Sequence, residues 1–214
     1  MKPLIRAKTP AQKEFIRNIV ENDITICNGI SGTGKTYVAC GIGLEYIFRE
    51  DQPQKCVVAT RPIVSIDDKL GFLKGSLEEK IQPYYRPIFN SMAKLLGSQK
   101  EVLKLQESEA IKFEPVELCR GMDYENSFII VDECQNLTHS EIVAIITRLG
   151  VNSKIVFCGD ADQSDIGPNN GMVFLIDKLS HRDYVGYSEL GEKDIQRNPI
   201  IARILKDLNW RREI

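Results

Sequence analysis

The chain is expected to fold as an α/β protein, with a mostly parallel sheet covered by helices on both faces. Three observations lead there. Short apolar runs alternate with helical segments along most of the 214 residues, the order that builds strand–helix–strand units. Several of those runs, above all "FIIV" at 128–131, are apolar throughout, as strands buried on both faces must be. Polar residues gather directly behind these runs, at the strand ends where open α/β sheets bind ligands.

Taken in order, "PAQKEFIRNIVEN" reads as a short helix and "DITICNGI" as a strand. In the helical "GKTYVACGIGLEYIFRE", Val38, Ile42 and Tyr46 fall on one face. "KCVVATRP" is the next strand. Residues 63–110 form an excursion with charged and aromatic side chains and two prolines, Pro83 and Pro87. It is expected to be largely helical toward its end and to embellish a single domain spanning 1–214, because both flanks belong to one alternating pattern. Strand-like "IKFEPVELC" and "SFIIVDE", helical "HSEIVAIITRLG", strand-like "SKIVFCGD", a helix near "GMVFLIDKLS" and strand-like "DYVGYSEL" follow. A last helix is expected from about Pro199 to Asp207.

Composition narrows the functions. Hydrophobic residues make up 43% and charged residues 27%, which fits a globular chain and excludes extended disorder. Lysine and arginine total 28 against 30 acids, a net charge of −2, so any nucleic-acid contact must come from a local cluster. The opening "MKPLIRAKTPAQ" lacks a secretory apolar core, and no run is long enough to span a membrane. The six cysteines show no C-x-x-C spacing, and Cys27, Cys56 and Cys158 sit in apolar runs. Reduced thiols and a cytoplasmic location, with no membrane partner, are the expectation.

Two stretches carry chemistry. "GISGTGKT", residues 29–36, follows an apolar strand and opens a helix, the context that gives a phosphate-binding loop its meaning. Gly29, Gly32 and Gly34 let successive N–H groups turn inward around phosphate oxygens, with Ile30, Ser31 and Thr33 completing the loop. The helix that follows aims the positive end of its dipole at the same point. Lys35 can reach the β- and γ-phosphates, and Thr36 offers a hydroxyl to magnesium. The second stretch, "FIIVDECQN" at 128–136, ends a buried strand in two adjacent carboxylates. A phosphate loop needs a further magnesium-holding group and a means of positioning the attacking water. Asp132 fits the first role and Glu133 the second, as general base; adjacent strand residues point to opposite faces, which excludes a facing pair of glycosidase carboxylates.

"IVFCGDADQ", residues 155–163, repeats the arrangement. Gln163 can accept from water while donating to a γ-phosphate oxygen, as a sensor of the nucleotide state would. Asp160 either supports the metal shell or caps its loop.

The ordered series "GISGTGKT", "TRP", "LGFLKG", "EEK", "PYYRP", "RG", "FIIVDECQN", "TRLG", "SKIVFCGD", "DQ" and "QRNP" resembles the PhoH family, from about Thr9 to Leu208. The resemblance implies a RecA-like P-loop NTPase fold related to the core of superfamily 1 helicases. It further implies ATP and Mg2+ as ligands, ATP hydrolysis, RNA-dependent activity and hexameric rings. By position it gives Lys35 and Thr36 the phosphate and magnesium roles, Asp132 and Glu133 the metal and base roles, and Gln163 the sensor role. Gln12, in "TPAQ", is similar to the upstream glutamine with which such helicases read adenine; a solvated first-turn residue is the alternative. The chain departs from the family where Met122 replaces a frequent second arginine, and where Arg197–Asn198 replaces an R-H pair. No sign is expected of the extra N-terminal domain or fused nuclease domain of longer members.

Two functions follow. The first is an ATP-driven RNA motor or helicase. Lys69, Lys74, Lys80, Tyr84, Tyr85 and Arg86 could track single-stranded RNA, or the tyrosines could anchor the excursion to the core. The second is a nucleotide-dependent regulatory switch acting on a protein partner, without unwinding. A small-molecule kinase fits less well, since "DECQN" followed by "GDADQ" suits water activation. Phosphoryl transfer commonly draws on an arginine finger, and one RecA-like domain must receive it from a second copy. A homo-oligomer, a hexameric ring, is therefore expected, with Arg120, Arg148 and Arg197 as candidates and Arg197 the best match.

Overall fold

The computed structural model describes residues 3–63 and 77–196, together with Ile200 and Ile204. Arg197, Lys69, Lys74, the side chain of Lys80 and nearly all of the expected last helix lie outside the described residues.

Helix α1 (Pro10–Glu21) begins where Thr9 accepts a hydrogen bond from the Gln12 amide through its hydroxyl, with proline in the first turn. Strand β1 (Ile24–Gly29) follows, then α2 (Lys35–Phe48) and β2 (Cys56–Arg61). The excursion contributes two helices, α3 (Leu77–Leu96) and α4 (Gln99–Glu107), before β3 (Ile111–Pro115) and β4 (Ser127–Val131). Helix α5 (His139–Ile146), β5 (Lys154–Gly159), α6 (Gly171–Leu179) and β6 (Val185–Leu190) complete the alternation. The strand expected over "IKFEPVELC" stops at Pro115, which has no N–H to continue a ladder; the chain turns into a single 3-10 turn, Val116–Leu118.

The six strands lie in the order β3-β2-β4-β5-β1-β6, and every pairing is parallel. Alternation along each strand feeds two cores. Cys27, Val57, Ala59, Phe128, Ile130, Val156 and Cys158 face α1–α4. Ile26, Val58, Ile129, Val131, Ile155 and Phe157 face α5 and α6. All six cysteines are free thiols. Burial pushes the half-buried Cys56 up to about 11, and drives the enclosed Cys27, Cys40, Cys134 and Cys158 higher, so none is a reactive thiolate. No helix among the described residues is long and apolar enough to cross a membrane.

Helix α3 bears out one of the two readings of its tyrosines. Tyr85 is 2% exposed, in line with Ile81, Ile88 and Met92 on the core side, and its ring packs 5.5 Å from that of Phe113. It is an anchor and offers no face to a nucleobase. Tyr84 is half-buried against the same core, which leaves Arg86 exposed.

Candidate functional site

Three strand ends meet above the sheet. Because β5 lies between β1 and β4, its carboxyl-end loop falls between the phosphate loop and the acidic pair. Together they enclose a cleft of about 240 Å³ that Lys35, Thr36, Asp132, Glu133 and Gln163 all line. Pro87 and Ser91 of α3 close one side, so the excursion roofs the same cleft.

The loop is shaped by two close approaches. A Cβ on Gly29 would lie 2.4 Å from the Leu190 carbonyl of β6, and Gly34 has φ +89°, a left-handed conformation open to glycine. Gly34 also caps α2 without a side-chain hydrogen bond, so the helix presents bare N–H groups to the cleft. Lys35 donates its ammonium to the carbonyls of Gly29 and Ile30, which keeps the charge at the mouth of the loop. Thr33 is fully buried; its hydroxyl donates to the Ile30 carbonyl at 2.8 Å.

Asp132 and Thr36 form one unit, with Thr36 Oγ1 donating to Asp132 Oδ1 at 2.7 Å. Burial raises the Asp132 carboxyl above the usual carboxylate range and the charge of Glu133 adds to this; Thr36, Arg61 and Lys35 act against both. A buried carboxylate with a hydroxyl on it fits a magnesium ion. Among the described residues no cluster of three or more His, Cys, Asp or Glu side chains could hold a metal. A cation on Asp132 and Thr36 would therefore complete its coordination with phosphate oxygens and water, as magnesium does at nucleotide sites.

Glu133 leaves the strand geometry altogether, at φ 55° and ψ 37°. Adjacent strand positions would splay two side chains apart; this turn lets both acids line one cleft. Asp160 caps its loop, one of the two roles expected of it. Its Oδ1 accepts from the Asp162 amide at 3.2 Å, capping the loop, while its buried Oδ2 has no hydrogen-bond partner. Burial raises this carboxyl too. Gln163 is exposed on the same loop, its amide donating to the Asp160 carbonyl at 3.1 Å.

Gln12 is neither solvated nor free. It is 3% exposed; Nε2 donates to the Thr33 carbonyl at 2.8 Å and Oε1 accepts from the Lys8 amide at 2.8 Å. Both ends of the amide brace the phosphate loop against the start of α1. Arg120 is exposed beside a separate hollow of about 180 Å³, lined by Glu117, Ala144 and Ile145, which shares no lining residue with the cleft. Arg148 donates to the Met122 carbonyl at 3.2 Å and the Thr147 hydroxyl at 3.3 Å.

Two further residues touch the acidic pair, and both stand in the motifs quoted. Arg61, at the end of β2, lies 4.0 Å from Asp132 Oδ2 and donates to the Tyr84 carbonyl at 2.9 Å, tying the acid to α3. Gln135 is buried within the cleft wall. Their polar character directly behind buried strands was the available signal.

A six-stranded parallel sheet with this loop and acidic strand end defines a RecA-like P-loop NTPase fold. The large terminase of bacteriophage HK97 shares it, with a TM-score of 0.59 at 15% identity over 96% of this chain and 48% of that one. The chain belongs to the PhoH family: the family model described as "PhoH-like protein" matches residues 4–209. It is 34% identical to a PhoH-like protein of Synechocystis sp. over 206 residues, 95% of this chain and 62% of that protein. The figures for a PhoH-like protein of Bacillus subtilis are 33% over 204 residues, 94% and 63%. The chain thus spans less than two thirds of the length of these curated relatives.

Proposed function

We propose that the chain is a magnesium-dependent ATPase that works on single-stranded RNA as a homo-oligomer. The observation that carries the ATPase reading is the joint lining of one cleft by Lys35, Thr36, Asp132, Glu133 and Gln163, with Thr36 hydrogen-bonded to Asp132 at 2.7 Å. Lys35 and the loop amides bind the phosphates. Thr36 and Asp132 hold magnesium, which when bound neutralises charge on the phosphate oxygens. Glu133 takes a proton from the attacking water, and Gln163 reports the presence of the γ-phosphate. Base selection by Gln12 would require its amide to exchange one of two internal partners, so we assign Gln12 to bracing the loop.

The RNA reading draws on the family resemblance and on Arg86, exposed on α3 over the cleft's roof. The burial of Tyr85 favours the second reading, a regulatory switch with a protein partner, because it removes one stacking surface. One experiment separates them: ATP turnover with and without Mg2+, single-stranded RNA and single-stranded DNA. A motor is accelerated by the polymer, whereas a switch is indifferent to it. In the same assay Lys35→Ala should lose nucleotide binding, and Glu133→Gln should keep binding and lose about 10²-fold or more in turnover. Undiminished turnover in Glu133→Gln would remove the ATPase mechanism.

A further inference from the structure

We propose that Gln135 is the positioning residue for Glu133, and that it locks the water-activating carboxylate to the loop carrying Gln163. The inference rests on the ATPase reading of the cleft. Glu133 sits in the left-handed region at φ 55°, a strained conformation for a residue with a side chain that persists only where the surroundings hold it.

Gln135 supplies the hold. It is 3% exposed, and its Nε2 donates to Glu133 Oε2 at 2.6 Å while its Oε1 accepts from the Asp160 amide at 3.1 Å. The side-chain amide can sit only one way round, since a carboxylate needs a donor and a backbone N–H an acceptor. Its backbone is fastened as well: the Gln135 carbonyl accepts from the Ser164 hydroxyl at 2.9 Å. Next to it, Asn136 Oδ1 accepts from the Asp165 amide at 2.8 Å.

The fit leaves little slack, because a Cβ on Gly159 would lie 2.6 Å from Gln135 Oε1. Asparagine is one methylene too short to span both contacts, and glutamate would set a second negative charge against Glu133. The hydrogen bond to Oε2 orients the Glu133 carboxylate and leaves Oε1 for the water. The same side chain holds the Asp160 end of the sensor loop, so base and sensor keep one spacing.

The test is a double-mutant cycle of Gln135→Met with Glu133→Gln, read by single-turnover ATP hydrolysis, with nucleotide affinity measured separately. Gln135→Met should lower the hydrolysis rate by about 10- to 100-fold, the scale of a misplaced catalytic group, with nucleotide Kd within about twofold. In the Glu133→Gln background the same substitution should cost nothing further, because no base remains to position. Circular dichroism and thermal unfolding of Gln135→Met control for folding, and Gln135→Glu, which sets a second charge against Glu133, should hydrolyse no faster than Gln135→Met. A full additional loss in the Glu133→Gln background would overturn the proposal, as would a large loss of nucleotide affinity in Gln135→Met. Wild-type turnover in Glu133→Gln alone would instead remove the underlying ATPase reading.

Discussion

Asp132 illustrates how single residues set this site against the stability of the fold around it. Its carboxylate is buried next to Glu133, and that burial with the neighbouring charge raises its pKa. Arg61 and Lys35 offset only part of that, so the charged form is costly until a metal ion adds to them. Asp132→Asn keeps the acceptor for Thr36 and removes the charge. The ligand-free protein should gain roughly 0.5–2 kcal/mol in urea unfolding, the usual gain when a functional group is relieved, and lose magnesium-supported turnover. Gln12 makes the converse case. Gln12→Ala strips partners from the Thr33 carbonyl and the Lys8 amide, so the loop itself loosens. Affinity for ATP and GTP should fall together; a selective loss of ATP binding would mean that the amide reads the base.

Helix α3 is the element that departs most from the regular alternation, and its two faces do different work. Tyr85→Ala removes a ring from the core and should destabilise the fold by about 3–5 kcal/mol in denaturant unfolding. Arg86→Ala, on the exposed side, should stay within about 0.5 kcal/mol and weaken only the binding of single-stranded RNA. The spacing of Ile81, Tyr85, Ile88 and Met92 already marked the buried side in the sequence. The two prolines do not interrupt it: the helix runs through both Pro83 and Pro87. The strands were legible for a simpler reason. Runs such as Phe128–Val131 are apolar at every position, and only a sheet covered on both faces has room for them. Glu133 shows the limit: it turns left-handed beside Gln135, whose other end accepts from the Asp160 amide of the distant β5 loop, and no local pattern announces the turn.

At the scale of the whole molecule, the oligomer proposed above would let one copy supply a finger arginine to the phosphate site of the next. We therefore expect the ATPase rate per subunit to rise with protein concentration. Glu133→Gln subunits mixed with subunits lacking the finger should regain activity at interfaces that combine two intact halves. Arg148 is already engaged by the Met122 carbonyl, so Arg120 and Arg197 are the substitutions to mix first. The sheet order carries a different consequence, for the sequence of events on the ribosome. The phosphate-loop strand β1 is made early, yet both its neighbours, β5 and β6, belong to the last third of the chain. The excursion, β3 and β4 are all synthesised while β1 still waits for a partner. A nascent chain halted before Val185 would contain every residue of "GISGTGKT" and no finished pocket, since Leu190 packs against Gly29 and its carbonyl accepts from the Ile30 amide. The phosphate loop is thus among the first segments to be made, and it waits for β6, more than 150 residues later, to take its shape.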